Sequence, residues 1–178
     1  LGDVYKRQHL GRPAYFIEYR PMPDGCCAFS SVGAYPSGKG GKGMPKLYFK
    51  YGAMNSSKSA NALMVKFNYE EQGYRVALLK PSIDDRDGTE VVKSRIGLEQ
   101  RCYVIDEDMN LLDWYDAHRE YQVLIVDEAQ FLTPEQVEQL KDLAVDEITV
   151  LCFGLKTDFQ TKMFPASKRL FELADSLS

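Results

Sequence analysis

Apolar and polar positions fall into two alternating periods from Met44 onward. Leu47, Tyr48 and Phe49 form a short apolar run that predicts a strand over 47–51. Ala60, Leu63, Met64 and Phe67 follow at i, i+3, i+4, i+7, the stripe of a helix over about 58–72. A second strand, "YRVALLK" at 74–80, ends in the polar loop "PSIDDRDGTE"; a short apolar piece, "RCYVI", then precedes a helix-like "MNLLDWYDAHRE". "YQVLIVDEAQF" carries an apolar run into two acids. "TPEQVEQLKDLAV" reads as a helix with Thr133 as its cap and Pro134 at its first position, and "ITVLCFG" is a further strand. Strands alternating with helices predict an α/β fold, a parallel, doubly wound sheet with helices on both faces and ligands at the carboxyl ends of its strands.

Residues 1–43 break this order. Pro and Gly are scattered through them without a sustained period, and they end in the run "GKGGKG". Their opening, "LGDVYKRQ", resembles translated sequencing-adapter sequence, and "MPKLYF" offers a start at Met44. The expectation is a disordered or artefactual leader over 1–43 and one nucleotide-binding domain over 44–178.

Two stretches compete as a phosphate-binding loop. "GAYPSGKG", Gly33 to Gly40, fits the pattern G-x-x-x-x-G-K, yet it places Gly where a Mg²⁺-binding hydroxyl belongs and runs into "GKGMP", which cannot open a helix. "GAMNSSKS", Gly52 to Ser59, has the physical context such a loop needs. A buried strand delivers the chain to a tight turn, and a helix N-terminus follows, so that backbone N–H groups surround the anion. On this reading Lys58 reaches the β- and γ-phosphates and Ser59 offers a hydroxyl to Mg²⁺. Ser57 stands where a glycine is usual, either to avoid a Cβ clash or to supply an unusual φ; as the smallest polar substitute it is expected to be tolerated.

Composition narrows the ligand. The 178 residues carry a net charge of −4 and no basic block, which argues against a nucleic-acid polymer as partner. No apolar run approaches a membrane span and no secretory signal opens the chain, so the cytoplasm is the expected location. Cys26 and Cys27 are adjacent while Cys102 and Cys152 stand alone; without C-x-x-C spacing they read as buried or incidental thiols. His118, in "DWYDAHREY", reads as a half-exposed helix histidine.

Asp127 and Glu128 emerge from a buried strand at the sheet end that carries the loop. The first suits the water shell of Mg²⁺; the second suits a base that takes a proton from an attacking hydroxyl or water. Asp84, Asp85 and Arg86 follow the second strand, with Arg95 further on, and an arginine near a γ-phosphate stabilises charge developing on the transferring group. By themselves these features describe a P-loop nucleotide enzyme, an ATPase in which Glu128 activates water included.

"LYFKYGAMNSSKS", "KPSIDDRDG", "SRIGLE", "LIVDEAQFLT" and "LCFGLKTDFQTKMF", in this order and spacing, closely resemble the type II thymidine kinases, particularly the bacterial ones, over about Met44 to Asp175. The resemblance implies a P-loop, RecA-like domain that transfers the γ-phosphoryl group of ATP to the 5′-hydroxyl of thymidine, giving dTMP for nucleotide salvage. It assigns Gly52, Ala53, Met54, Asn55, Ser56, Ser57, Lys58 and Ser59 to the phosphate loop, with Asp84, Arg86, Asp127 and Gln130 also in the ATP set. Mg²⁺ falls to Ser59 and Asp127, and the general base to Glu128. Met54, Phe131, Leu155 and Phe159 match positions beside the nucleoside base. The resemblance also implies a homotetramer, feedback inhibition by dTTP, and a C-terminal lobe holding structural Zn²⁺ and a lasso loop over the thymine. This chain ends at "LADSLS", before the paired cysteines of that lobe, so the zinc ligands are expected to be absent from it. The alternative is therefore an ATP-binding fragment without kinase activity.

Overall fold

A computed structural model describes residues 15–21, 27–34, 46–53, 57–83, 90–94, 97–146 and 148–178, with the first two segments and Asp146 described as backbone only. The chain divides into two units, Leu1–Met44 and Pro45–Ser178. In the first, β1 (Tyr15–Pro21) pairs antiparallel with β2 (Cys27–Ala34). These strands carry no clean alternation of apolar and polar positions, and the other residues of the leader expected over 1–43 lie outside the described residues.

The second unit is built in the order β3 (Leu47–Gly52), α1 (Lys58–Glu71), β4 (Val76–Pro81), β5 (Val91–Lys93), β6 (Glu99–Arg101), β7 (Tyr103–Ile105), α2 (Leu111–Asp116), β8 (Val123–Val126), α3 (Pro134–Asp146), β9 (Thr149–Leu155), α4 (Pro165–Leu173) and β10 (Ser176–Leu177). Six of these strands form one parallel sheet in the order β10-β3-β9-β8-β4-β7. β5 and β6 form a small antiparallel pair of their own.

The apolar runs follow from burial on both faces. Every residue of β4 and β8 is buried, as is the interior of β9, so these strands read as continuous hydrophobic stretches rather than as alternation. Leu47, Phe49, Ala77, Leu79, Leu124, Val126, Val150 and Cys152 share one core with residues of α2, α3 and α4. The alternate positions, among them Leu78, Lys80, Ile125, Asp127, Leu151 and Phe153, are buried on the opposite face, where α1 packs against β4, β8 and β9. Helices therefore cover both faces.

α1 departs from its predicted stripe. Ala60 and Leu63 are buried, but Met64 and Phe67 are 44% and 61% exposed, and the seated face is completed by Ala62, Val65 and the stem of Lys66. Lys66 can lie there because its ammonium pairs with Glu70 one turn on. At α3 the expected signals hold. The Thr133 hydroxyl accepts from the Gln136 N–H at 3.1 Å while Gln136 Oε1 accepts from the Thr133 N–H at 3.1 Å, a reciprocal capping box. The Cys152 thiol is buried and its pKa pushed up to about 12 by that burial, which leaves it inert. His118 stacks on Trp114 with ring centroids 4.3 Å apart.

Asp175 fastens the C-terminal strand to the sheet. Its carboxylate accepts from the Leu47 N–H at 2.8 Å and from Lys141 Nζ at 2.6 Å. Burial on its own raises this pKa, but the Lys141 and Leu47 hydrogen bonds, helped by the charges of Lys141 and Lys46, bring it below the usual carboxylate range. A depressed folded-state pKa gives stability that is present above the unfolded value and is lost as pH falls through the folded one. Denaturant titrations are expected to show a shallower loss of stability for Asp175→Asn than for the wild type below about pH 4. Equal slopes would remove Asp175 from the acid transition.

Candidate active site

β3, β8 and β9 run parallel, so their carboxyl ends lie along one edge. Gly52 is in register with Leu155, and Val126 with Cys152, which brings the end of β3, the two acids after β8 and the end of β9 to that edge. Asp127 continues β8: its N–H donates to the Leu79 carbonyl at 2.9 Å. It is 3% exposed and belongs to the face that α1 covers, with the equally buried Lys80 at the neighbouring position of β4.

Ser57 and Lys58 show how the loop copes without its usual glycine. Ser57 has φ 56° and ψ 29°, the left-handed region that a glycine would enter without strain. Its carbonyl still accepts the first helical bond, from the Asn61 N–H at 2.9 Å. Lys58 Nζ donates to the Ala53 carbonyl at 2.8 Å, which brings its ammonium back to the residue after β3. Ser57→Gly is expected to raise stability by up to about 1 kcal/mol, measured by chemical denaturation, as the left-handed penalty is removed and part of it is offset by glycine's entropy. No change would mean that the loop bears no strain at this position.

The acids sit in a comparably strained turn. Glu128 has φ 51° and ψ 38°, a conformation that costs a non-glycine residue roughly 1–3 kcal/mol and clusters at functional sites. Beyond it, Ala129–Phe131 form one turn of 3₁₀ helix, closed by the Phe131 N–H donating to the Glu128 carbonyl at 3.1 Å. Glu128 is half-buried, and Gln130 Nε2 donates to its Oε2 at 2.5 Å.

Ser59 and Asp127 are hard oxygen donors on one edge and one face, Ser59 in the first turn of α1 and Asp127 on the strand beneath that helix. This donor set fits Mg²⁺, which keeps much of its water and takes one or two protein oxygens alongside phosphate oxygens. Among the described residues, no group of three or more His, Cys, Asp or Glu side chains is placed to hold a metal ion.

The aromatic positions separate. Phe131 is partly exposed and meets Phe164 edge-on, ring centroids 5.8 Å apart. Leu155 ends β9, half-buried, with its N–H held by Gln130. Phe159 is 88% exposed, so it has no core role; it lies in a turn where Asp158 Oδ1 accepts from the N–H groups of Gln160 and Lys162. Phe164 was missed in the sequence, although Pro165 right after it marks the first position of α4. Met54, Asn55, Ser56, Asp84, Asp85, Arg86 and Arg95 lie outside the described residues. A cavity of about 500 Å³ lined by Arg75, Arg101, Tyr103 and Tyr121 opens at the amino ends of β4 and β7, the edge opposite these groups.

A family model described as thymidine kinase matches residues 45–178. The thymidine kinase of Enterobacteria phage T4 is 45% identical over 139 residues, a match that spans 75% of this chain and 72% of that protein. The thymidine kinase of Streptococcus thermophilus strain CNRZ 1066 is 49% identical over 138 residues, covering 75% of this chain and 69% of its own. That of Haemophilus influenzae strain KW20 is 43% identical over 139 residues, with 75% and 72% covered. With a family model spanning the whole sheet and relatives at this level of identity, the chain belongs to the thymidine kinase family.

Proposed function

We propose that this chain transfers the γ-phosphoryl group of ATP to the 5′-hydroxyl of thymidine, and that residues 44–178 carry the activity. The observation that supports the reading most strongly is the shared sheet edge, where Lys58 and Ser59 open α1 while Asp127 and Glu128 leave the adjoining face of β8.

In this reading the loop from Gly52 to Ser59 surrounds the β- and γ-phosphates, with Asp84 and Arg86 beside the transferring group and Lys58 drawn from the Ala53 carbonyl to the phosphate oxygens. Ser59 and Asp127 would hold Mg²⁺, which when bound would supply positive charge against the triphosphate. Glu128 accepts the proton of the 5′-hydroxyl as its oxygen forms the new bond to the γ-phosphorus. The bond from that phosphorus to the β–γ bridging oxygen breaks, and ADP leaves. Met54, Phe131, Leu155 and Phe159 border the base, where a flat aromatic ligand gains from ring contact.

The reading extends to a cytoplasmic enzyme, assembled as a homotetramer and inhibited by dTTP, with structural Zn²⁺ in the C-terminal lobe of the full-length family. Among the described residues, no helix is long and apolar enough to cross a membrane. ADP release in Mg²⁺-ATP is expected to depend on added thymidine. A rate that thymidine does not alter would replace the kinase reading with an ATPase in which Glu128 activates water.

A further inference from the structure

We infer that Gln130 is a positioning residue that holds Glu128 in its productive orientation, with Gly154 supplying the space in which it does so. The inference rests on the reading of Glu128 as the general base.

Gln130 is 2% exposed, and both ends of its amide are committed. Its Oε1 accepts from the Leu155 N–H at 2.9 Å and its Nε2 donates to Glu128 Oε2 at 2.5 Å. This orientation is chemically unique. The Leu155 N–H can only donate and the Glu128 carboxylate can only accept, so a flipped amide would set donor against donor and acceptor against acceptor. Gln130 therefore ties the acid after β8 to the carboxyl end of β9, a link between residues far apart in the chain.

Two further observations show that the link is built in. Glu128 occupies a left-handed backbone conformation, which persists only where surrounding structure holds it. Gly154 leaves the room: a Cβ there would stand 2.9 Å from Gln130 Oε1 and 3.2 Å from its backbone nitrogen. Strand β9 thus passes close behind Gln130 because that position lacks a side chain. The place of Gln130 in the ATP set, implied by the resemblance, is compatible with this link, because each end of the amide keeps one further hydrogen-bonding position.

Gln130→Met keeps the length and removes both hydrogen bonds. Gly154→Ala displaces the amide and leaves Glu128 and Gln130 intact, and it carries the test if the first variant folds poorly. Each is expected to lower kcat for dTMP formation by roughly 10–100-fold, the size seen when groups that orient a site's ligands are removed, with KM for ATP little changed. Because both act through Glu128, neither is expected to lower kcat further in a Glu128→Gln background. An unchanged kcat, or an equal fall in that background, would overturn the positioning role. If Glu128→Gln by itself leaves kcat intact, the base assignment fails and the inference with it.

Discussion

Glu128→Gln lowers kcat for dTMP formation by roughly 10²–10⁴-fold, the usual contribution of a positioned general base, while ATP binding measured by calorimetry persists. The expectation follows from where the residue sits. Glu128 follows Asp127 at the sheet edge, and its half-buried carboxylate is held by the Gln130 amide. The amide analogue keeps the shape and can still hydrogen-bond, but it cannot take a proton. The loss should therefore appear in the chemical step and not in nucleotide affinity. Unchanged turnover would remove Glu128 from the reaction.

Lys58→Ala behaves differently: kcat/KM falls by about 10²–10³-fold, the scale for removing one donor aimed at developing charge, and ATP affinity falls with it. Lys58 opens α1, and its ammonium already reaches back to the Ala53 carbonyl. A cation held there stabilises the phosphates in both the ground state and the transition state, so binding and catalysis weaken together. Steady-state kinetics with calorimetric ATP titration separates this pattern from that of Glu128→Gln. A Lys58→Ala enzyme with wild-type ATP affinity would mean that the loop has been misplaced.

Much of the sheet was legible because its central strands are buried on both faces. β4, β8 and β9 announce themselves as apolar runs, and Thr133 with Pro134 marks the start of α3 through purely local chemistry. What stayed hidden depends on long-range pairing. β10 is two residues long and exists because Ser176 and Leu177 lie beside Tyr48 and Phe49. β5 and β6, "VVK" and "EQR", carry too few apolar positions to show a period. The stripe on α1 was read with Met64 and Phe67 inside, yet Ala62 and Val65 face the sheet, since small residues let a helix lie close.

The site divides along the same line. Lys58, Ser59, Asp127 and Glu128 are set by short segments, so their placement at one edge could be read from strand ends alone. The Gln130 bridge to Leu155 spans the fold, and Gly154 gains its meaning only from what lies behind it. The strain at Ser57 was half legible. The missing glycine flagged the position, and its positive φ gave the reason.

Phosphorylation of labelled thymidine in Mg²⁺-ATP, scored as dTMP formed, tests the central claim most directly. The account predicts dTMP from the wild-type chain, in step with ADP released and abolished by omitting ATP. ADP released at the same rate without thymidine, and no dTMP, would contradict it.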